Sequence, residues 1–358
     1  MTFDNTVTLR VGGNDYAGWL SVGIEAGIER LARSFDIGVT SSWPGASAAD
    51  IARRVKPGDA CEVRIGADRV ITGWIDATPI SYDKSSISVS IRGRSKTADL
   101  VDCSATNSPG QWSRLSVERI ADALASTYGV SVLAEIETQV PVAVHTIEQG
   151  ETVSESLDRL LSPLGLLATD DGDGNLVLIS IGMHRADDAL ELGKNILSGD
   201  AALDDKDRFR TYIVKGQAKA ADDLDGTGGK YHSSGTAVDD KVLRPRVLII
   251  KQSGQGDGGK VADRATYERD HRKARAAAST YEVQGWRQSS GALWTPNMLV
   301  QVRDSVLGWD TEMLITEVAY SLGDGKELCR LSVGPKAGYI APVVVHALKK
   351  AKKVTYVE

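Results

Sequence analysis

Cysteine, histidine, phenylalanine and long apolar runs are all scarce in this 358-residue chain. The three cysteines, Cys61, Cys103 and Cys329, are odd in number and far apart, and no C-x-x-C occurs. That excludes a disulfide framework and a zinc ribbon, and leaves the cysteines as small buried hydrophobes. The five histidines, His145, His184, His232, His271 and His346, form no pair at helical spacing; no metal and no cofactor is expected. Neither G-x-S-x-G nor H-E-x-x-H is present, which removes two common hydrolase signatures. No apolar run approaches the ~18 residues that a membrane-spanning helix needs. The start, MTFDNTVTLR, lacks a signal-peptide pattern, so synthesis in the cytoplasm is the expectation. Positive charge is not in excess either. A net charge of -6 argues against stable nucleic-acid binding, which needs a basic surface.

What is present is a globular composition, 42% hydrophobic and 25% charged, on a chain long enough for two or three domains. The first hundred residues alternate apolar and polar positions. TVTLRVGG runs into a turn at Gly12, Gly13 and Asn14, and CEVRIG, RVITGWID and SSISVSIRG continue the period of two. A short helix is predicted at 48–55, stopped by Pro57-Gly58. From Ser113 the period changes. SVERIADALASTYG places Val117, Ile120, Ala121 and Leu124 on one helical face, with Ser116 as N-cap and Gly129 as stop. Thr152 and Glu155 spell a capping box before the stripe Val153, Leu157, Leu160, Leu161. LGLLATDDGDGNLVLIS then reads as two strands around an acidic turn. Residues 196–221 return to strand-like character, with RTYIVKGQA the clearest piece; 222–260 are loose, broken by one strand, RVLIIKQ, and ATYERDHRKARAAASTY is a predicted helix of strong formers. STYEVQGW, MLVQVRD, EMLITEVAYSL and ELCRLSVG return to strand, before a basic tail.

Two motifs resemble binding loops. Gly254 to Lys260 spells G-x-x-x-x-G-K, but a phosphate-binding loop needs Ser or Thr next, and Val261 stands there. Asp257 would also repel a phosphate. DDGDGNL, Asp170 to Leu176, resembles a calcium loop. Counting from Asp171, the sixth residue is Leu176 and the twelfth Gly182, where an EF-hand needs glycine and glutamate. A hairpin turn explains it better. Glu25 with Glu29, or Glu148 with Glu151, could be offered as acid pairs for glycoside hydrolysis, but their separation is not legible in sequence and solvated charge is the simpler reading. No catalytic residue is assigned. ERDHRKAR reads as an exposed helix face or a charged rim at a subunit contact. Trp286, Trp294 and Trp309 lie close together, and tryptophan is enriched in interfaces as well as in cores.

One internal similarity is more informative. KPGDACEVRI (Lys56 to Ile65) resembles TPNMLVQVRD (Thr295 to Asp304), with Pro57 opposite Pro296, Val63 opposite Val302 and Arg64 opposite Arg303. RVITGWID then matches MLITEVAY with Thr72 opposite Thr316, and ISVSIRG matches CRLSVG with Gly93 opposite Gly334. The reading is one β unit used twice. Three copies of such a chain could close a ring of six similar barrels. Edge strands need partners, and Val63, Ile71, Trp294, Met298, Leu299 and Val300 are taken as candidate interface residues in the repeated units.

Three stretches carry a family resemblance: VTLRVGGNDYAGWLSVGIEAGIERLARSFDIGV, IEQGETVSESLDRLLSPLGLLATDDGDGNLVL and VQGWRQSSGALWTPNMLVQVRD. With their spacing they cover nearly the whole chain, and it resembles the baseplate hub proteins of Mu-like contractile-tail phages. That family is similar to hub domains of other contractile tails and of type VI secretion spike proteins. The resemblance implies a β-rich α+β, multidomain chain with two similar small β-barrel domains flanking mixed α+β domains, assembling as a trimeric ring. The expected boundaries are a first β-barrel domain at 1–98, a mixed α+β domain at 99–195, a second β-barrel domain at 196–221 and 286–345, an inserted α+β segment with a flexible loop at 222–285, and a basic tail at 346–358. The implied partners are a second and third copy of itself, the tail spike, the tail tube and other baseplate proteins, with transient contact to phage DNA in an acidic lumen and no stable nucleic-acid or membrane binding. The implied location is the virion tail baseplate, after synthesis in the host bacterial cytoplasm. No catalytic residue comes with the resemblance. A tail-associated peptidoglycan hydrolase and a carbohydrate-binding adhesin module are the alternatives.

Overall fold

The computed structural model describes residues 3–39, 54–82, 84, 87–136, 141–217, 232–255 and 258–340. Residues 48–53 of the expected helix, 222–231 of the loose stretch, and the basic tail at 346–358 lie outside the described residues. The chain divides into two compact units. One comprises Met1–Leu161, Leu166–Asp200 and Ser279–Val333; the other comprises Ser162–Gly165, Ala201–Ala278 and Gly334–Glu358.

The first unit begins with β1 (Val7–Val11), β2 (Asn14–Tyr16), β3 (Ser21–Gly27), β4 (Ser34–Val39), β5 (Ala60–Ile65), β6 (Asp68–Ala77), β7 (Ile80–Tyr82) and β8 (Ile87–Ser95). Alternation makes the strands: β5 has Cys61, Val63 and Ile65 buried and the residues between them turned outward. Then come β9 (Gln111–Leu115), β10 (Val132–Ala134), β11 (Val142–Thr146), β12 (Leu167–Asp170) and β13 (Leu176–Ile179), with helices Ala98–Asp102, Val117–Ala125 and Val153–Leu161. Ser116 caps the second helix by accepting from the Arg119 N–H. The capping box forms in both directions: Glu155 accepts from the Thr152 N–H at 2.8 Å and Thr152 from the Glu155 N–H at 3.2 Å. The unit continues with β14 (His184–Arg185), β15 (Leu190–Glu191) and β16 (Ile196–Asp200), and resumes after an insertion.

That insertion carries the body of the second unit, with β17 (Thr211–Gln217), β18 (His232–Val238), β19 (Val247–Gln255) and the helix Gly258–Arg275. The strand β17, which the sequence grouped with the second β-barrel domain, pairs with β18 and β19. The helix starts seven residues before the predicted Ala265 and stops at Arg275, short of Tyr281. Glycine is a poor helix former, but Val261 and Ala265 are buried against Val214 and Ala237, and tertiary packing holds the early turns. Ser279 to Tyr281 alternate into the next strand instead.

The first unit ends with β20 (Ser279–Gln284), β21 (Met298–Asp304), β22 (Trp309–Gly323) and β23 (Lys326–Gly334). Its main sheet has 15 strands in the order β16-β20-β23-β22-β3-β4-β8-β6-β5-β1-β2, with β21 also on β22 and β7 on β8. Within it one arrangement occurs twice. The order β3-β4-β8-β6-β5 is repeated as β16-β20-β23-β22-β21, and in both sets the strands arise in the same chain sequence. The repeat read from sequence is therefore a repeat of topology. Gly58 and Asn297, next to the aligned prolines, both take left-handed φ, 91° and 68°, which glycine and asparagine tolerate best. Each then donates its N–H to the neighbouring strand, Gly58 to the Ile75 carbonyl at 2.8 Å and Asn297 to the Ile315 carbonyl at 2.9 Å. This corrects the alignment of the second block. Ile75, rather than Ile71, is the counterpart of Ile315, a slip of four residues from the Thr72–Thr316 match. A slip by an even number keeps every side chain on its own face, so periodicity cannot detect it.

Candidate assembly interface

The candidate interface residues fall into two groups. Val63 and Ile71 face each other across β5 and β6 and are fully buried. Trp294 and Val300 are buried in the same large core cluster. These four build the interior of the subunit. Met298 and Leu299 are half-buried on β21, and β21 is flanked on both sides, by β22 and by the short parallel strands β14 and β15. Trp286 and Trp294 are both buried in that core. Trp286 donates its ring N–H to the Ser321 and Leu328 carbonyls at 3.1 and 3.0 Å, and the Trp294 carbonyl accepts from the Tyr320 hydroxyl.

What joins the two β-domains within the unit is a strand pair and a clamp. β22 runs antiparallel to β3 from Glu317↔Gly27 to Leu322↔Val22. Beside it Arg287 reaches Asn5 Oδ1 at 2.9 Å, Asp68 Oδ2 at 2.6 Å, and the Ile65 and Gly291 carbonyls at 3.0 and 2.9 Å. A rigid guanidinium fork suits four such acceptors. A second clamp ties strand β12 to the first β-domain. Arg33 donates from Nε to Asp170 Oδ1 and from its main chain to Asp170 Oδ2, both at 3.0 Å, and from its guanidinium to the Val70 carbonyl at 3.1 Å. Burial pushes the Asp170 carboxyl above its ordinary pKa, against the opposing pull of Arg33. Sequence reading missed both arginines as contacts. Arg287 stands alone between Trp286 and Trp294 in an otherwise uncharged stretch, and that was its only signal.

The acidic loop that looked like a calcium site is used internally. Asp171 accepts from the Asp173 and Asn175 N–H groups, each at 2.9 Å, and Asp173 pairs with Arg69. No cluster of three or more His, Cys, Asp or Glu is placed to hold a metal among the described residues. In the G-x-x-x-x-G-K stretch, Gln255 ends β19 and Gly258 opens the helix, while 256–257 lie outside the described residues. Of the acid candidates, Glu25 is paired with Arg30 at 2.6 Å and Glu151 with Arg159 at 2.7 Å. On the basic helix, Glu268 is buried and held by Arg264 and Arg272, four residues to either side. Burial raises the Cys61 thiol to about 12 and shifts Cys329 upward as well, which leaves neither as a thiolate nucleophile. The arrangement is a scaffold of sheet junctions and clamps.

Three families match in series: the Mu phage baseplate assembly protein GpP-like N-terminal domain at 6–95, the baseplate hub protein gp44-like second domain at 97–180, and the Mu phage baseplate assembly protein GpP fourth domain at 259–341. All three describe structural pieces of a phage tail baseplate. The baseplate hub protein gp44 of Escherichia phage Mu is 36% identical over 348 residues, spanning 95% of this chain and 90% of that one. The chain belongs to the family of Mu-type phage baseplate hub proteins, structural components of the virion tail. The crystal structure of the 43 kDa tail protein of prophage MuSo2 from Shewanella oneidensis superposes with a TM-score of 0.83 at 33% identity, over 94% of this chain and 99% of that one. The tail protein from Neisseria meningitidis MC58 shares the fold at TM-score 0.78 and 22% identity, over 94% and 98% of the two chains. A type VI secretion component, Escherichia coli c3393, shares it more distantly, at TM-score 0.55 and 11% identity over 93% and 78%.

Proposed function

We propose that this protein is a trimeric hub whose two β-domains per subunit form a pseudo-sixfold ring between the sixfold tail tube and the threefold central spike. The observation that carries this reading is the doubled five-strand arrangement, which lets three subunits present six near-equivalent modules. One module lies within 1–98 and the other is built around β16 and β20–β23, each closing into a small barrel. Val63, Ile71, Trp294 and Val300 serve the ring by holding the module cores, and Met298 and Leu299 are the candidates of that set for direct contact. The ring passes DNA after contraction, and the chain's net charge of -6 suits a lumen that repels a phosphate backbone. The tube, the spike and other baseplate proteins are its partners, the DNA contact is transient, and the subunit is made in the host bacterial cytoplasm. The role is mechanical and needs no catalysis.

Light scattering after size exclusion tests this. Three subunits of 38.2 kDa give a particle of about 115 kDa, in which negative-stain images should show a central hole. A monomer at every concentration, with and without the spike protein, would refute the ring.

A further inference from the structure

The structure contains a finished module junction and two unfinished edges that match it. In the junction, the outer half of β22 pairs with β3 and buries Val22, Ile24, Val318 and Tyr320. By topology, β16 is the second module's counterpart of β3, and β6 continuing through Pro79 into β7 is the first module's counterpart of β22. Both counterparts lie open on the side where β3 and β22 are joined. β16 ends the sheet path with β20 beside it and, apart from one bridge from Ile196 to Leu192, no other partner among the described residues; beyond Ile75 the strand β6–β7 likewise has only β8 as a partner among the described residues.

The open edges carry apolar side chains in water: Leu197 on β16 is 54% exposed, and Ile80 and Tyr82 on β7 are 47% and 80% exposed. An open edge of this kind is a template for pairing with another chain. The main chain of β7 is also aimed to accept one. The Pro79 carbonyl accepts from the Ser90 N–H at 3.0 Å, so it points toward β8. Strand geometry alternates, so the N–H and C=O groups of Ile80 and Tyr82 point to the open side. The proline's missing N–H therefore falls on the occupied side and costs the open edge nothing.

We infer that β16 of one subunit pairs antiparallel with the β6–β7 edge of a second copy of the same chain, repeating between subunits the β3–β22 junction found within each one. The inference rests on the ring reading and adds the contact that closes the ring. The occupant is a second copy because the same chain already contains the mated form of both edges.

The test uses two full-length chains in a Cys103→Ser background, differently tagged, one with Leu197→Cys and the other with Ile80→Cys, Ser81→Cys or Tyr82→Cys in turn. Mixed after unfolding and refolding together, they can form a 197-to-80s disulfide only between chains. The expected result is conversion of a large share of the mixed oligomer to a cross-linked dimer band on mild oxidation for at least one of the three pairs, and none for either chain alone. An oligomer of native mass that cross-links in no pair would overturn the strand contact and leave the ring standing. A native chain that stays monomeric with its spike partner would remove both.

Discussion

At the scale of single residues, the fold depends on a few positions where nothing larger or more polar fits. Gly73 is one. A Cβ there would lie 1.9 Å from the Arg94 carbonyl oxygen and 2.6 Å from the Ser95 Cα, both main-chain atoms of the paired strand β8. Overpacking of a tight site costs about 1–3 kcal/mol, and because backbone cannot swing aside, Gly73→Ala should sit near the upper end, about 3 kcal/mol. The denaturant midpoint should fall with an unchanged slope. His145 is another. It is buried, its ring stacks on Trp112 with centroids 6.0 Å apart, and its Nε2 is 2.9 Å from the Ser156 hydroxyl. Burial, and then the nearby Arg159, hold its pKa below the ordinary 6.5. The unfolded chain therefore takes up a proton that the folded one refuses, so stability present above pH 6.5 is lost as the pH falls toward the folded value. His145→Phe keeps the stack and removes the titration. Its melting temperature should change less between pH 7.5 and pH 5 than that of the native chain, and an equal change would assign the acid sensitivity elsewhere. Residues of this kind were partly legible. The caps at Ser116 and Thr152 are local, and sequence shows them. The Arg33–Asp170 and Arg287–Asp68 pairs bridge 137 and 219 positions of chain, and no spacing rule reaches that far.

At the scale of elements, local chemistry and tertiary packing pull with different strength. The helix Val153–Leu161 has only nine residues, below the length at which an isolated helix is stable. Its reciprocal capping box and its buried stripe of Val153, Leu157, Leu160 and Leu161 supply what length does not. Thr152→Ala should cost about 1 kcal/mol. Hydrogen exchange should show the loss first at Ser154 to Ser156, whose N–H groups lie in the opening turn. Uniform loss across the chain would mean that the cap serves global folding instead. The helix Gly258–Arg275 shows the opposite balance. Its start is hidden in sequence by Gly258 and Gly259, because burial of Val261 and Ala265 outweighs their poor propensity. The longer alternating strands were legible as strands, but β18 (His232–Val238) lies in the stretch read as loose, and strand partners were not legible. β17 reads like a member of the second β-domain and pairs elsewhere, and the four-residue slip at Ile75 is invisible to a period of two.

At the scale of the whole molecule, the duplication explains where extra chain can be tolerated. β3 and β4 are adjacent antiparallel strands joined by the short link from Ile28 to Arg33. Their counterparts β16 and β20 are also adjacent and antiparallel, with Asp200 opposite Thr280. Between those two ends the chain makes the excursion Ala201–Ala278, which belongs to the second unit. Because the ends already lie side by side, loop closure asks little of the first unit whatever the length inserted. The excursion should therefore be removable. A chain in which 201–278 are replaced by a short glycine turn and which ends at Gly334 should keep the β-sheet circular dichroism of the first unit. It should also elute with the same number of subunits as the full chain, because both edges proposed to mate, β16 and β6–β7, are retained. If it folds but remains monomeric while the full chain assembles, the second unit contributes to subunit contact, and the doubled sheet alone does not close the ring.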